Sequence, residues 1–260
     1  MNIAIVVVTY NLPNSTRWFE TGQSRTHDVR FHVFQHSRRA EVVAAFETLA
    51  HSDSVVLYPY GENRGVARSL NEGILDAYSD SADVVIFANE DVEFSAGDVD
   101  RLAETAAAHR DRYVVSCAGV DRRLNRRLPS LGYACIAINP VAFDVLGCFD
   151  ENFFPLYCED DDYCYRALLA GLSEGNCSET NVLHLGSACI NTDAALREQN
   201  DLTHGRNFEY YRRKWGGDSR HERFTRPFDD RRFDHKIAAD ARHAPYGPEF
   251  DRYDRDIVRV

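Results

Sequence analysis

Short runs of β-branched and aromatic residues alternate with amphipathic stretches through the amino-terminal part of this chain, and that alternation fixes its fold class. Residues 3–8, Ile-Ala-Ile-Val-Val-Val, are apolar at every position, as expected of a strand buried on both faces. Asn14, Ser15 and Thr16 offer a helix cap, with Trp18 and Phe19 to bury. Further strands are expected at 31–34, 55–58 and 83–88. Between them, residues 40–50 form a helix with Val42, Val43, Phe46 and Leu49 on its apolar face. Residues 64–78 form another, opened by Asn63. A βαβαβαβ order predicts a mostly parallel sheet with helices on both faces. No GxGxxG and no Walker A sequence follows the first strand, so neither a dinucleotide nor a P-loop site is supported.

The remainder is less regular. Helices are expected at 98–110, 140–146, 161–170 and 194–215, the last stopped by Gly216 and Gly217. Strands are expected at 113–117 and 133–138, with a basic loop at 122–127 between them. Residues 218–260 are dense in Arg, Asp and aromatics. They read as an extension that wraps the body or makes a homo-oligomer contact.

Composition narrows the function classes. A hydrophobic fraction of 44% supports a real core rather than disorder. A formal net charge of −11 repels nucleic acid and anionic lipid at long range. The cysteine count of seven is odd and contains no CxxC pair, which argues against a zinc site or disulfide framework and for a reducing, cytoplasmic setting. Residues 3–8 are too short for a signal core or a membrane span, leaving a soluble protein with at most peripheral membrane association.

Two acidic clusters carry the chemistry. Asn89-Glu90-Asp91 follows the apolar run 84–88, and Glu159-Asp160-Asp161-Asp162 follows 153–158. Carboxylates at the carboxyl ends of strands lie where open α/β sheets bind ligands. One cluster is placed to hold a divalent metal on a phosphate, the other to take a proton from a nucleophile. The plain alternative is two ordinary acidic loops in a chain with 41 Asp and Glu. For the second cluster it is helix capping.

The order of motifs resembles the inverting nucleotide-sugar glycosyltransferases of family 2, which have the GT-A fold, and among them rhamnosyltransferase-like members. The motifs are Val-Val-Val-Thr-Tyr-Asn at 6–11, Glu-Asn-Arg-Gly-Val-Ala at 62–67 with Asn-Glu-Gly-Ile at 71–74, and Phe-Ala-Asn-Glu-Asp-Val at 87–92. They continue with residues 147–167, His184 to Ser187, and Lys214 to Gly217. The resemblance spans roughly 3–217. It implies a domain at 1–217, divided into a donor half at 1–97 and an acceptor half at 98–217, with 218–260 outside it.

The resemblance further implies roles. Asp91 would bind Mn²⁺ or Mg²⁺ on the donor diphosphate, since a hard cation suits a carboxylate. His184 would be a second metal or phosphate contact; a satisfied buried histidine is the alternative. Asp160 would be the general base for the attacking hydroxyl, its pKa raised by neighbouring carboxylates. Glu159 and Asp162 would hold the acceptor. Thr9, Tyr10, Asn11, Gln35, Asn63, Gly65, Arg68, Asn89 and Glu90 would line the nucleotide site. Where the family has an aspartate reading an imide N–H, this chain has Gln35-His36-Ser37. A glutamine carbonyl accepts the same bond, so a UDP- or dTDP-linked sugar is favoured, with a GDP-linked one the alternative. A glycan, lipid-linked or small-molecule hydroxyl would be the acceptor, and nucleic acid is disfavoured. The rival readings are a sugar nucleotidyltransferase, which usually needs a glycine-rich basic loop after the first strand, and a non-catalytic nucleotide- or sugar-binding module.

Overall fold

The computed structural model describes residues 1–10, 16–186 and 194–238. The first four strands, β1 (Asn2–Thr9), β2 (Asp28–Gln35), β3 (Val55–Pro59) and β4 (Val84–Asn89), are parallel and lie in the order β3-β2-β1-β4. Strict alternation explains why two of them read as unbroken apolar runs. Ile3, Ile5 and Val7 of β1 face one core with Val84, Ile86 and Ala88 of β4, while Ala4 and Val6 face the other with Val85 and Phe87. On the first face lie α1 (Arg17–Thr21), α2 (Ala40–Leu49) and α4 (Asp98–Ala108), through Trp18, Phe46 and Leu102. On the second lie α3 (Val66–Ser79), α5 (Pro140–Leu146) and α6 (Glu159–Leu169), through Leu70, Leu146 and Tyr163.

Beyond β4 the sheet becomes mixed. The two-residue strand β5 (Val92–Glu93) sits at its far edge, and β6 (Arg112–Asp121) carries the short antiparallel β7 (Arg126–Leu128). Part of the expected basic loop is therefore strand. β8 (Cys135–Ile138) runs antiparallel to both β4 and β6 and joins the two halves into one sheet. β9 (Ser173–His184) is a 12-residue strand that the sequence pattern does not announce. Its run Ser-Glu-Gly-Asn-Cys-Ser-Glu-Thr-Asn is polar, and parallel pairing with β6 makes it a strand.

Helix α3 approaches the sheet closely because of Gly73: a Cβ there would come within 2.7 Å of Val6 and 2.8 Å of Phe34. Helix α7 (Ala194–Trp215) packs Tyr210, Tyr211 and Trp215 against Phe153 and Cys158. Residues 218–238 run back over the body: Phe228 joins that aromatic cluster, and Ile237 bridges to Gly147. This described part of the extension wraps the domain. Tyr246, Phe250 and Tyr253 lie outside the described residues, as do Asn11, Asn14 and Ser15 of the expected nucleotide loop and helix cap. Thr16 stands at the N-cap of α1 without a side-chain capping bond. Among the described residues no helix is long and apolar enough to cross a membrane.

Candidate active site

A cleft of about 500 Å³ opens at the carboxyl ends of β1 and β4. Thr9 and Tyr10 at the end of β1, Asn89, Glu90 and Asp91 at the end of β4, and Asn63 before α3 all line it. Glu90 also accepts a hydrogen bond from the Tyr10 backbone N–H at 3.1 Å, tying the two strand ends together.

Strand register brings the distant His184 to this place. β5 pairs Val92 with His184, and β6 pairs Asp121 with His184. The imidazole therefore stands between two carboxylates, with Nε2 3.3 Å from Asp91 Oδ1 and Nδ1 3.4 Å from Asp121 Oδ2. Burial acts to lower the His184 pKa, but Asp91 and Asp121 outweigh it and hold it above the usual histidine range. Nε2 is buried at charge-contact distance from Asp91 without an aligned hydrogen bond. An imidazole nitrogen in that condition beside a carboxylate is a donor pair that fits a divalent cation, and Mn²⁺ better than Mg²⁺. Among the described residues no group of three His, Cys, Asp or Glu side chains is placed to hold a metal alone. The remaining coordination would come from phosphate oxygens and water, the usual arrangement for cations held on nucleotide phosphates. Asp121 carries no motif and is missed by sequence reasoning; only the register of β6 against β9 reveals it.

The second cluster forms the first turn of α6, which begins at Glu159, earlier than expected. Glu159 and Asp160 line the cleft. Glu159 is buried and its Oε2 has no hydrogen-bond partner. Burial, then the charge of Asp160, pushes its carboxyl well above the usual range. Asp160 is half-buried, and its Oδ1 accepts the Asp161 backbone N–H at 2.9 Å. Burial, then the charge of Asp161, raises its pKa as well. Asp162 does not face the cleft. It is fully buried, accepting from Arg166 Nε at 2.8 Å and Trp215 Nε1 at 2.9 Å, with Lys214 Nζ at 2.5 Å. Burial opposes its charge, but Lys214 and Arg166 prevail and lower its pKa. Its carboxyl is engaged in an internal ion-pair network, away from the place where it was expected to hold an acceptor.

Three residues expected at the nucleotide site also stand off the cleft. The Gln35 side chain is buried and donates to the Ser37 carbonyl at 2.7 Å; its neighbour His36 is the residue that lines the cleft. Arg68 pairs with Glu72 at 2.9 Å on the surface of α3. Gly65 has φ +83°, a left-handed conformation that glycine tolerates, and its N–H is held by Asn63 Oδ1 at 3.0 Å. It shapes the loop that presents Asn63 rather than lining the cavity. His36, which the sequence sets beside Gln35 at the nucleotide crevice, hydrogen-bonds Ser69 Oγ through Nε2 at 2.9 Å. Burial, then Arg64, lowers its pKa to about 4, so it is neutral at ordinary pH.

Helix α3 and the loop before α6 are clamped together. Asn71 accepts the Phe149 N–H at 2.8 Å and donates to the Phe149 carbonyl at 3.0 Å, and the Val66 N–H reaches the Pro155 carbonyl at 2.7 Å. The two acidic clusters thus face one cavity across a braced frame.

Comparison with known proteins bears on the fold. Residues 33–135 match the model of the glycosyl transferase family 2. No curated protein matches the chain. A mannosyltransferase from Pyrobaculum calidifontis, solved with GDP-Man and Mn²⁺, superposes with a TM-score of 0.55 at 16% identity, covering 78% of this chain and 62% of that one. GalNAc-T7, solved with UDP, GalNAc and Mn²⁺, gives 0.54 at 13% identity, covering 71% of this chain and 44% of its own. This chain therefore spans less than two thirds of either structure's length. At these identities the likeness establishes the fold, which is the GT-A fold of glycosyltransferases.

Proposed function

We propose that this chain is a metal-dependent inverting glycosyltransferase that moves a sugar from a nucleoside-diphosphate carrier to an acceptor hydroxyl. One arrangement carries the reading: Asp91 with His184, and Asp160 with Glu159, come from distant segments and line the same cleft at the strand ends of a GT-A sheet. The family match and the nucleotide and Mn²⁺ in the two similar structures support it.

In this reading Asp91 and His184 would hold a divalent cation, which would supply positive charge to offset the negative charge of the leaving diphosphate. Asp160 takes the proton of the acceptor hydroxyl as it attacks the anomeric carbon. Its raised pKa suits that task, since a more basic carboxylate is a better proton acceptor. One displacement with one base inverts the anomeric centre. Glu159 faces the same space and holds the acceptor or the sugar. Residues 1–97 act as the donor half and 98–217 as the acceptor half.

The nucleobase would lie toward His36, which also lines the cleft. Ser69 donates its hydroxyl proton to the Gly65 carbonyl at 3.0 Å, so its oxygen accepts from His36 Nε2–H. The neutral ring then offers Nδ1 as an acceptor, which pairs with the ring N–H of uracil or thymine. Guanine, which also has a ring N–H, is the alternative.

The test is Asp160→Asn assayed for transfer and for nucleotide binding. Transfer falls about 10²–10⁴-fold, the usual worth of a general base, while nucleoside-diphosphate binding stays within error. A variant that retains most of its transfer rate removes Asp160 as the base.

A further inference from the structure

Strand order sets a basic turn beside the cleft. β6 runs antiparallel to β8, and β8 antiparallel to β4, so the carboxyl end of β6 lies on the same side of the sheet as that of β4. There β6 turns into β7 through Arg122 to Asn125. Residues 122–131 hold four arginines and no acid, in a chain whose formal net charge is −11. Arg127 is engaged by β9, giving bonds to the Thr180 carbonyl at 2.8 Å and to Asn181. Arg122, Arg123 and Arg126 are exposed, and among the described residues none of them enters an ion pair.

The turn is firmly built. The Asn125 N–H closes it on the Arg122 carbonyl at 3.2 Å, the Leu124 N–H is held by Asp121 Oδ1 at 2.8 Å, and the Arg122 N–H by the His184 carbonyl at 2.9 Å. Gly186 packs against Arg123: a Cβ on it would come within 2.8 Å of the Arg123 Cβ. Leu185, between His184 and Gly186, therefore stands next to the turn. Leu124 is 45% exposed and Leu185 41%. A turn of this kind favours Gly, Asn, Asp or Ser, so its backbone does not ask for a leucine. One exposed leucine is ordinary; two beside three arginines that lack ion pairs form a mixed apolar and basic tip.

That mixture selects the partner. A nucleic acid or a free phosphate matches the arginines and has no use for the leucines. An apolar surface matches the leucines and leaves the arginines uncompensated. A bilayer with anionic headgroups offers both, charge at its surface and hydrocarbon just beneath. The acidic body does not prevent the contact, since salt at about 0.1 M screens charges beyond about 10 Å. It turns the rest of the molecule away and leaves one orientation. We propose that the β6–β7 turn is a docking surface for an anionic lipid bilayer, with Arg122, Arg123 and Arg126 among the headgroups and Leu124 and Leu185 at the acyl boundary. Docking there brings the cleft to the membrane surface.

The proposal does not rest on the transfer reading, and its test needs no substrate. The full chain is sedimented with vesicles of phosphatidylcholine alone and of phosphatidylcholine mixed with phosphatidylglycerol, at low and at physiological ionic strength. It should pellet with the anionic vesicles and not with the neutral ones, and salt should weaken the binding. Arg122→Gln, Arg123→Gln and Arg126→Gln together should cut the partition coefficient by on the order of 100-fold, since each basic residue at an anionic surface contributes about fivefold. Arg110→Gln, Arg206→Gln and Arg231→Gln, exposed positions elsewhere, make the same change in net charge and should have little effect. Leu124→Ser with Leu185→Ser should weaken binding several-fold at either ionic strength. A chain that stays in solution with the anionic vesicles at low ionic strength overturns the proposal, as does a control triple that loses as much as the triple at the turn. A leucine pair without effect would reduce the tip to a contact for any polyanion and overturn the bilayer as its partner.

Discussion

Four consecutive carboxyls, Glu159 to Asp162, begin one helix and end in four environments. Glu159 is buried at the cleft, Asp160 stands beside it, Asp161 accepts from Ser219 Oγ at 2.8 Å, and Asp162 is sealed in an ion-pair network. A helix turns about 100° per residue, so neighbours in sequence diverge in space. That divergence has a measurable consequence at Glu159. Its folded pKa is raised, so its neutral form is favoured: full stability is present below the unfolded value and is lost as pH rises through the folded one. Glu159→Gln should therefore raise the melting temperature near neutral pH, with the gain vanishing below about pH 4, where the unfolded glutamate also protonates. Melting curves of both proteins across that range decide it. A gain independent of pH would mean that shape, not charge, is responsible. The sequence told that these acids mattered but not which faced inward. One signal was present: Asp162 and Arg166 stand four apart, the spacing of a helical ion pair. Asp121 carried no comparable sign, because a sheet register decides its place; His36 stood with Gln35 at a strand end, and only the structure tells which of the two lines the cleft.

Among the elements, α6 is braced from behind the cleft by a buried ion-pair network. Asp150, Asp162, Arg166 and Lys214 are all buried, two acids with two bases. Lys214 Nζ reaches Asp150 at 2.8 Å and Asp162 at 2.5 Å. Arg166 gives further bonds to the carbonyls of Leu146 at 2.8 Å, Cys148 at 2.9 Å and His235 at 3.2 Å. The helix that carries Asp160 is thereby fastened to α7, to the end of α5 and to the extension. Such a network is costly to break on one side, because a partner charge stays buried. Lys214→Met leaves two carboxylates facing one guanidinium and should destabilise the fold by about 3–5 kcal/mol, measured by urea unfolding. A loss below about 1 kcal/mol would place this lysine with ordinary surface pairs. Elements with strong apolar periodicity, β1 to β4 and α2 to α4, could be read from the sequence because their own residues demand burial. β9 could not, since its strand character is lent by β6.

At the scale of the whole molecule, the cleft joins segments that no local stretch brings together: strand ends from the first half, α6 from the second, and His184 from the late β9. A ligand that touches all of them must stabilise the folded chain as one body. A nucleoside diphosphate bound through Asp91 and His184 shifts the unfolding equilibrium by RT ln(1 + [L]/Kd), about 2.7 kcal/mol at a hundredfold excess over Kd. For a domain of this size each kcal/mol is worth about 2–4 °C, so UDP with Mn²⁺ should raise the melting temperature by about 5–10 °C. If, as proposed, a carboxylate and an imidazole are what the described residues give the cation, nucleotide and metal should each do little alone. The shift is then cooperative: EDTA abolishes it, and so does Asp91→Ala, measured against the melting temperature of the nucleotide-free variant. Differential scanning fluorimetry over UDP, dTDP, GDP, CDP and ADP, each with and without Mn²⁺, reads this directly. Cytosine and adenine present an acceptor where uracil, thymine and guanine present a ring N–H, so CDP and ADP should shift least against the acceptor nitrogen of His36. A shift that survives EDTA in full would separate the nucleotide from the metal and dismiss Asp91 as its anchor. A CDP or ADP shift equal to that of UDP would dismiss His36 as the reader of the base while leaving the anchor intact.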